Sequence, residues 1–124
     1  YVPEIASNIR VHAKPALLDE STRRKISRGR IGIEAKIDLH GLTQSEAHNR
    51  LYRFVETARL SGKRTILVIT GKGVDGQGVL RNAVPRWLNE PEYRSHVSGF
   101  HEAHLGHGGG GALYIRLRRL PNTD

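Results

Sequence analysis

The chain has 124 residues, the size of one ordinary domain, and no cysteine, which excludes disulfide bonds and thiolate metal ligands. Its longest run of large apolar residues, at 66–69, is too short to span a bilayer, so we expect a soluble, cytoplasmic protein without membrane contacts. The net charge of +8 indicates a polyanionic partner, nucleic acid being the first candidate, although ordinary surface charge that maintains solubility is the alternative. Methionine is absent even at position 1, which indicates a portion of a longer protein. Nothing in the sequence indicates an oligomeric state.

The first elements are an arm, a helix and a strand. Residues 1–18 contain two prolines and no sustained apolar period, so they predict an extended arm. Residues 19–30 predict a short basic helix that stops at Gly29. Polar and apolar residues then alternate over 36–40, which is typical of a half-buried strand. Ile37 and Leu39 are expected to face the core, and Asp38 and His40 to share the opposite face.

A longer helix follows this strand and ends at Gly62. Thr43 and Glu46 form a capping box at its start. Its apolar residues recur on one helical face: Ala47, Leu51, Phe54, Val55 and Ala58. Residues 64–70 are rich in β-branched side chains, so they predict a central strand.

The second half of the sequence predicts one more helix and two more strands. The helix follows the glycine-rich loop 71–78, and Pro85 within it is expected to cost a hydrogen bond and to kink the helix unless it lies in the first turns. Its apolar face carries Leu80, Val84, Trp87 and Leu88. The remaining elements are a break at 89–93, a strand at 95–104, a glycine-rich turn at 106–111 and a strand at 112–120.

The order β-α-β-α-β-β predicts the fold class. A β-α-β unit gives parallel neighbouring strands, and the last two strands can pair antiparallel. We expect an α/β two-layer sandwich with a mixed four-stranded sheet and both main helices on one face. This domain would span 31–120, after an arm and helix at 1–30 and before a tail at 121–124.

Three short motifs mark the chain: IDLHG at 37–41, TGKG at 70–73 and HGGGGAL at 107–113. In this order and at these distances they resemble the Smr (small MutS-related) domain family, which has an LDLHG box, a TGxG box and a late HGGxGA-type segment. Ile37 replaces the first leucine of the LDLHG box, a change that concerns packing only. The lead-in from Arg24 to Ala35 resembles that of stand-alone bacterial members.

The resemblance implies a fold similar to that of the C-terminal domain of translation initiation factor 3, and it implies binding to nucleic acid. Members of the family are described as nicking endonucleases on DNA or as endoribonucleases, some of which act on messenger RNA at stalled ribosomes. We therefore expect RNA and/or DNA as the partner, and the ribosome as a further one.

Asp38 and His40 are the predicted catalytic residues. Side chains two positions apart on a strand stand on one face, where a carboxylate can orient an imidazole. A general acid or base needs such an arrangement. The alternative is a pair of solvated residues at a strand end, with His40 merely capping the next turn.

The two glycine-rich loops and the start of the second helix are predicted to bind the sugar–phosphate chain through backbone N–H groups and positive side chains. The residues are Thr70, Gly71, Lys72, Gly73, Arg81, His107, Gly108 and Gly109. Plain turns with solvated Lys72 and Arg81 are the alternative. The loop also matches the dinucleotide pattern G-x-G-x-x-G, but the helix signal starts only after Gly78, and Glu90 and Glu92 lie in a break rather than at a strand end.

Other polar residues are assigned more modest roles. His101, His104 and His107 suggest a metal site, but strand alternation would keep them from converging, so we predict no metal and no cofactor unless a DNA substrate requires a divalent ion. A general electrostatic surface is expected from Arg50, Arg53, Arg116 and Arg118. Tyr114 is expected to be a half-buried sheet residue, with stacking on a base as the alternative.

These observations predict an endonuclease that cleaves or nicks phosphodiester bonds in RNA and/or DNA. Its acid–base pair would lie at the carboxyl end of the parallel strands, where ligands of open α/β sheets usually bind. A non-catalytic RNA- or ribosome-binding module, using the same basic surface, is the alternative.

Overall fold

The computed structural model describes residues 14–73 and 78–121, so most of the predicted arm, residues 74–77 of the first glycine loop and the last three residues lie outside the described residues. The strands are β1 (Ala16–Leu17), β2 (Ala35–Asp38), β3 (Thr65–Ile69), β4 (Val97–Glu102) and β5 (Ala112–Leu117). The helices are α1 (Glu20–Ser27), α2 (Gln44–Leu60), α3 (Val79–Leu88) and α4 (Pro91–Arg94). Two single-turn 3-10 helices, Leu105–His107 and Gly109–Gly111, connect β4 to β5.

The strands form one mixed sheet in the order β1-β4-β5-β3-β2. β5 is antiparallel to both of its neighbours, whereas β1 and β2 run parallel to β4 and β3. The carboxyl ends of β1 to β4 therefore meet at one edge of the sheet, together with the start of β5. The predicted α/β class is confirmed, but the sheet has five strands and not four. The additional strand, β1, belongs to the predicted arm and pairs with the outer side of β4.

The helices α2 and α3 cover one face of the sheet. α2 begins with the predicted capping box, in which the Thr43 hydroxyl accepts from the Glu46 N–H and the Glu46 carboxylate accepts from the Thr43 N–H. Buried side chains from both helices and the sheet form the main core: Leu39, Leu51, Val55, Ile66, Val68, Val84, Leu88, Ile115 and Leu117. Pro85 does not end α3, because the apolar residues on either side of it are held in this core.

The opposite face of the sheet carries a second, smaller core. Ile26 of α1 is fully buried there with Tyr114, and Leu67 lies beside them. The expected two-layer sandwich is thus extended by a partial third layer. The sequence gives little sign of it, because Ile26 is the single buried residue of a charged helix. In the part of the chain that the structure describes, no helix is long and apolar enough to cross a membrane.

The segment between α3 and β4 is more ordered than the predicted break. Pro91 occupies the start of α4, a position where proline is well tolerated, and Tyr93 is fully buried. The N–H of His96 donates to the Tyr93 carbonyl at 2.9 Å. β4 therefore begins at Val97, later than predicted.

Candidate active site

Asp38 and His40 stand together where β2 ends. His40 Nδ1 lies 2.6 Å from Asp38 Oδ1, and the backbone N–H of His40 donates to the same oxygen at 3.0 Å. These hydrogen bonds, the side-chain one first, lower the pKa of Asp38 below its ordinary value of 3.8. The side chains remain accessible, with 69% of His40 and 48% of Asp38 exposed. The carboxylate thus engages one ring nitrogen and leaves Nε2 without a protein partner among the described residues.

The glycine turn after β3 lies directly against this pair. Gly71 has a φ of 74°, in the left-handed region that side chains other than glycine rarely adopt. A Cβ added to Gly71 would come within 3.3 Å of the His40 Cβ. Glycine therefore suits the backbone conformation of the turn and its close approach to the His40 Cβ.

The two glycine-rich segments are joined through their backbones. The N–H groups of Thr70 and Gly71 both donate to the Gly111 carbonyl, at 2.9 and 3.0 Å. The buried Thr70 hydroxyl lies 3.1 Å from the Gly71 carbonyl oxygen and 3.3 Å from that of Gly111. Thr70 is thus hydrogen-bonded inside the protein, where it positions the turn. Gly111 was not predicted, although an antiparallel last strand would have placed it beside the end of β3.

Lys72 and Gly73 extend from this turn and are exposed. A Cβ on Gly111 would lie 3.1 Å from the Gly71 carbonyl carbon and 3.2 Å from the Lys72 Cγ. The missing side chain at Gly111 therefore leaves room for the stem of Lys72. Its ammonium group forms no ion pair with any residue of the described ranges, so it can meet an anionic ligand.

The second glycine-rich segment is a compact turn and not an open loop. Gly108 and Gly109 have φ values of 120° and 53°, and a Cβ on Gly108 would lie 2.8 Å from the Ala112 Cβ. His107 Nδ1 lies 2.5 Å from the hydroxyl of Tyr114, whose ring it meets edge to face at 5.5 Å. His107 therefore packs on the α1 side of the sheet. Tyr114 is fully buried and has no face open to a base.

Arg81 lies beside the second glycine-rich segment, together with an acid that was not predicted. A Cβ on Gly110 would lie 3.1 Å from both Arg81 Nη2 and Glu102 Oε1. Arg81 and Glu102 also line a hollow of about 210 Å³ that reaches Thr70. Glu102 ends β4, so the shared edge of the parallel strands explains its position.

The histidines near this edge have separate partners. His101 Nδ1 lies 2.8 Å from the Glu102 carbonyl oxygen, and His104 Nδ1 accepts from the Gly106 N–H at 3.1 Å. Within residues 14–73 and 78–121, no group of three or more His, Asp or Glu residues is arranged to hold a metal ion. The described side chains thus present no preformed set of ligands for a cation.

A second histidine–carboxylate pair lies on the helix-covered side of the protein. His48 Nε2 is 2.7 Å from Glu90 Oε1. The His48 ring meets the rings of Trp87 and Tyr93 edge to face, at 4.9 and 5.5 Å. The Tyr93 hydroxyl donates to the His48 carbonyl at 2.8 Å. The pair borders a groove of about 610 Å³ that Tyr52 also lines.

The sheet order defines a small α/β domain. The Asp38–His40 pair and the two joined glycine turns lie together at the carboxyl edge of its strands. The family model described as the Smr domain matches residues 37–118. The chain belongs to the Smr domain family, as the three motifs predicted.

Three relatives show what the chain resembles. It is 32% identical over 98 residues to the probable DNA endonuclease SmrA of Escherichia coli, covering 77% of this chain and 51% of the relative. It is 34% identical over 94 residues to the ribosome rescue factor SmrB of Escherichia fergusonii, covering 76% and 48%. The chain therefore spans about half the length of these relatives. The crystal structure of YdaL, a stand-alone small MutS-related protein from Escherichia coli, matches with a TM-score of 0.68 and 28% identity over 88% of this chain and 83% of that one.

Proposed function

We propose that this chain is an endonuclease that cleaves or nicks phosphodiester bonds in RNA and/or DNA, with Asp38 and His40 as its acid–base pair. The observation that carries the proposal is the exposed His40 ring, bound to Asp38 at 2.6 Å and adjoining the glycine turn of β3. Ligands of open α/β sheets bind at the carboxyl ends of the strands, where this pair lies. One relative is named a probable DNA endonuclease, which supports the class of reaction.

The hydrogen bond to Asp38 gives the two ring nitrogens of His40 different tasks. Asp38 is ionised at neutral pH, since the bond from His40 lowers its pKa, so Nδ1 carries the proton that the carboxylate accepts. Nε2 is then the acceptor of the neutral ring and can take a proton from an attacking hydroxyl. The charge of Asp38 stabilises the imidazolium that results.

The phosphate would be held at the turn that follows β3. The N–H groups of Thr70 and Gly71 already donate to Gly111, so the contacts to phosphate come from the Lys72 ammonium group and from Gly73. Positive charge placed next to His40 stabilises the negative charge that builds on the non-bridging oxygens in the transition state.

On RNA, the simplest reaction of such a pair is transesterification. His40 Nε2 removes the proton of a ribose 2′-OH, and that oxygen bonds to the adjacent phosphorus while the bond from phosphorus to the 5′-oxygen breaks. The departing oxygen takes up a proton, so the products end in a 2′,3′-cyclic phosphate and a 5′-hydroxyl. This route uses no divalent ion. DNA has no 2′-OH, and its cleavage needs an activated water, which a metal ion commonly supplies.

The test uses labelled single- and double-stranded RNA and DNA, incubated with the protein in Mg²⁺ or in EDTA. We expect RNA cleavage in EDTA with cyclic phosphate ends, and resistance at a cut site that carries a single 2′-deoxy sugar. If that substrate is cut as fast as all-RNA, or if EDTA stops RNA cleavage, the metal-free route is wrong. A metal-assisted hydrolysis would then replace it.

A non-catalytic RNA- or ribosome-binding module is the second candidate function. It is favoured by the relative named ribosome rescue factor and by the net charge of +8, which suits attraction to RNA phosphates. Binding of RNA and DNA without cleavage of any of the four substrates, at several salt and divalent ion concentrations, would select this function over the endonuclease.

A further inference from the structure

We propose that α1 and the turn after it form a second contact for the nucleic acid strand, at a distance from the scissile phosphate. Four cations make up this α1 basic surface: Arg24, Lys25, Arg28 and Arg30. The proposal rests on the nucleic-acid substrate proposed above. The surface itself lies outside residues 37–118, which the family model matches.

The charge of this segment is only partly balanced by its acidic neighbours, Asp19 near Lys25 and Glu20 near Arg23 and Arg24. Residues 23–30 contain five Lys and Arg and no Asp or Glu. Arg23 pairs with Glu20, whereas the α1 basic surface makes no ion pair with any residue in the described parts of the chain. Like charges three and four positions apart, such as Arg24 and Arg28, destabilise a helix. A polyanionic ligand would offset this repulsion.

Two hollows give this surface a shape into which phosphates fit. The first, of about 190 Å³, is lined by the four cations and Ser21. The second, of about 530 Å³, lies between α1 and His104, which precedes the second glycine-rich segment. Its lining consists of Glu20, Arg23, Arg24, Ser27, Arg28 and His104. The one acid in it, Glu20, is already paired with Arg23.

His104 connects the α1 basic surface to the edge that carries Asp38 and His40. Its Nδ1 accepts from the Gly106 N–H, so the neutral ring carries its proton on Nε2. Its backbone N–H donates to the Tyr114 hydroxyl at 3.2 Å, and its carbonyl accepts from two N–H groups of the glycine turn. The ring is therefore anchored, and its Nε2–H is a donor available to a phosphate oxygen in the second hollow.

The distance between His40 and His104 indicates that a ligand in contact with both residues is a polymer. A strand that reaches from His40 to His104 crosses from β2 over β3 and β5 to β4. Three steps of about 4.8 Å between neighbouring strands give roughly 14 Å. At about 3.4 Å per nucleotide, the spacing along a stacked strand, this corresponds to about four nucleotides, and to fewer in an extended strand. A mononucleotide cannot occupy both places, whereas a single strand of RNA can.

The test compares two triple variants of the whole chain. R24Q/K25Q/R28Q removes three charges from the α1 basic surface, and R50Q/R53Q/R86Q removes three exposed charges from α2 and α3. Glutamine retains helix propensity close to that of lysine and arginine, so both variants should fold, and circular dichroism checks this. Fluorescence anisotropy then measures binding of single-stranded RNA of about two nucleotides, too short to reach both contacts, and of about twelve nucleotides, over a range of salt concentrations.

We expect R24Q/K25Q/R28Q to weaken binding of the longer RNA by roughly 10- to 100-fold and to change binding of the shorter RNA by less than about twofold. The slope of log K against log salt should become shallower by about 2, since each lost phosphate contact accounts for about 0.7. R50Q/R53Q/R86Q should change the slope by less than about 0.5. R24K/R28K, which retains the charge, should keep the wild-type slope.

If R24Q/K25Q/R28Q loses affinity equally for both RNA lengths, or if the two triple variants lose affinity equally, the α1 contact is wrong. The α1 charges would then act only through the net positive charge of the protein. The outcome is separable from the endonuclease proposal. If the wild-type protein cuts RNA and the two triple variants bind RNA with equal affinity, only the α1 contact is wrong. If R24Q/K25Q/R28Q weakens binding of the longer RNA alone but the wild-type protein cuts no RNA, only the endonuclease proposal is wrong.

Discussion

The chain holds two histidine–carboxylate pairs of nearly equal length in different surroundings. His40 and Asp38 are separated by 2.6 Å, and His48 and Glu90 by 2.7 Å. The first pair is local, two residues apart at the end of β2, and uses Nδ1. The second joins positions 42 residues apart, from α2 to the start of α4, and uses Nε2.

The surroundings decide what each pair can do. The ring of His48 packs against Trp87 and Tyr93 and is 36% exposed, so the pair fixes α2 to the segment before β4. The side chain of His40 is 69% exposed and adjoins the glycine turn of Gly71, whose neighbour Lys72 forms no ion pair within the described residues. A short distance between histidine and carboxylate therefore does not define an active site. The proposed site differs from the His48–Glu90 pair in the exposure of its imidazole and in the adjoining turn that is proposed to hold the phosphate.

The largest expected effect separates the two pairs by chemistry. His40→Ala and Asp38→Asn should each reduce cleavage by roughly 10²–10⁴-fold, the usual contribution of a general acid or base, with binding nearly unchanged. Glu90→Gln should cleave at the wild-type rate. Single-turnover cleavage and RNA binding by anisotropy measure the two quantities. Equal loss of cleavage in Glu90→Gln and His40→Ala would remove the distinction between the pairs.

The next effect tests whether the glycine turn positions His40. Gly71 and Gly62 have φ values of 74° and 82°, so alanine at either costs about 1–2 kcal/mol of backbone strain. Only Gly71 adjoins His40, whereas a Cβ on Gly62 meets nothing within 4 Å. Gly71→Ala should reduce cleavage by about tenfold or more, because small displacements of a catalytic group are costly.

Gly62→Ala is the matched control for that experiment. It should lose similar stability in urea unfolding and keep its cleavage rate. If the two glycine variants lose cleavage alike, the effect is one of stability, and the turn does not position the imidazole.

A smaller effect concerns the phosphate contact of Lys72. Lys72→Ala should weaken binding of all sequences alike and make the salt slope shallower by about 0.7 for single strands. Lys63→Ala, at the opposite end of β3, is the control and should change the slope little. A sequence-dependent loss in Lys72→Ala would contradict a contact to phosphate alone.

A further prediction addresses the His48–Glu90 pair as a structural contact. Glu90→Gln should reduce the free energy of unfolding by about 0.2–1 kcal/mol, the range measured for exposed polar pairs of this kind. Urea unfolding at neutral pH measures it. If Glu90→Gln does not change the free energy of unfolding, the His48–Glu90 pair does not stabilise the packing of α2 against α4.

The smallest expected effect is the pH dependence that Asp38 contributes to stability. Its pKa is lowered in the folded state, mainly by the hydrogen bond from His40. The stabilisation is therefore complete above the ordinary value of 3.8 and is lost as the pH falls through the lower folded value. The stability difference between wild type and Asp38→Asn should shrink towards zero in acid. A difference that grows as the pH falls would contradict the lowered pKa.

Local patterns in the sequence predicted the elements that carry the site. The capping box at Thr43, the apolar face of α2 and the alternation around Asp38 all depend on residues within a few positions of one another. Such patterns express backbone periodicity directly. Asp38 and His40 are side by side as predicted, but β2 ends at Asp38 and His40 lies in the following turn, where its backbone N–H donates to the Asp38 carboxylate.

Features that depend on distant partners were not predictable in this way. β1 is two residues long and exists as a strand because β4 lies beside it. Glu102 and Gly111 reach the site through the strand order. Gly108 shows a further limit, because a glycine required by a turn against Ala112 looks the same in sequence as a glycine that binds phosphate.

The position of β5 has a consequence for the timing of folding. β5 comes last along the described chain but lies in the middle of the sheet, between β4 and β3. The carbonyl that holds the turn of Thr70 belongs to Gly111, 41 residues later. Chains emerge from the ribosome N-terminus first, so the edge that carries His40 is assembled only after β5 has left the exit tunnel. The proposed site would therefore not act on RNA before β5 has paired with β3.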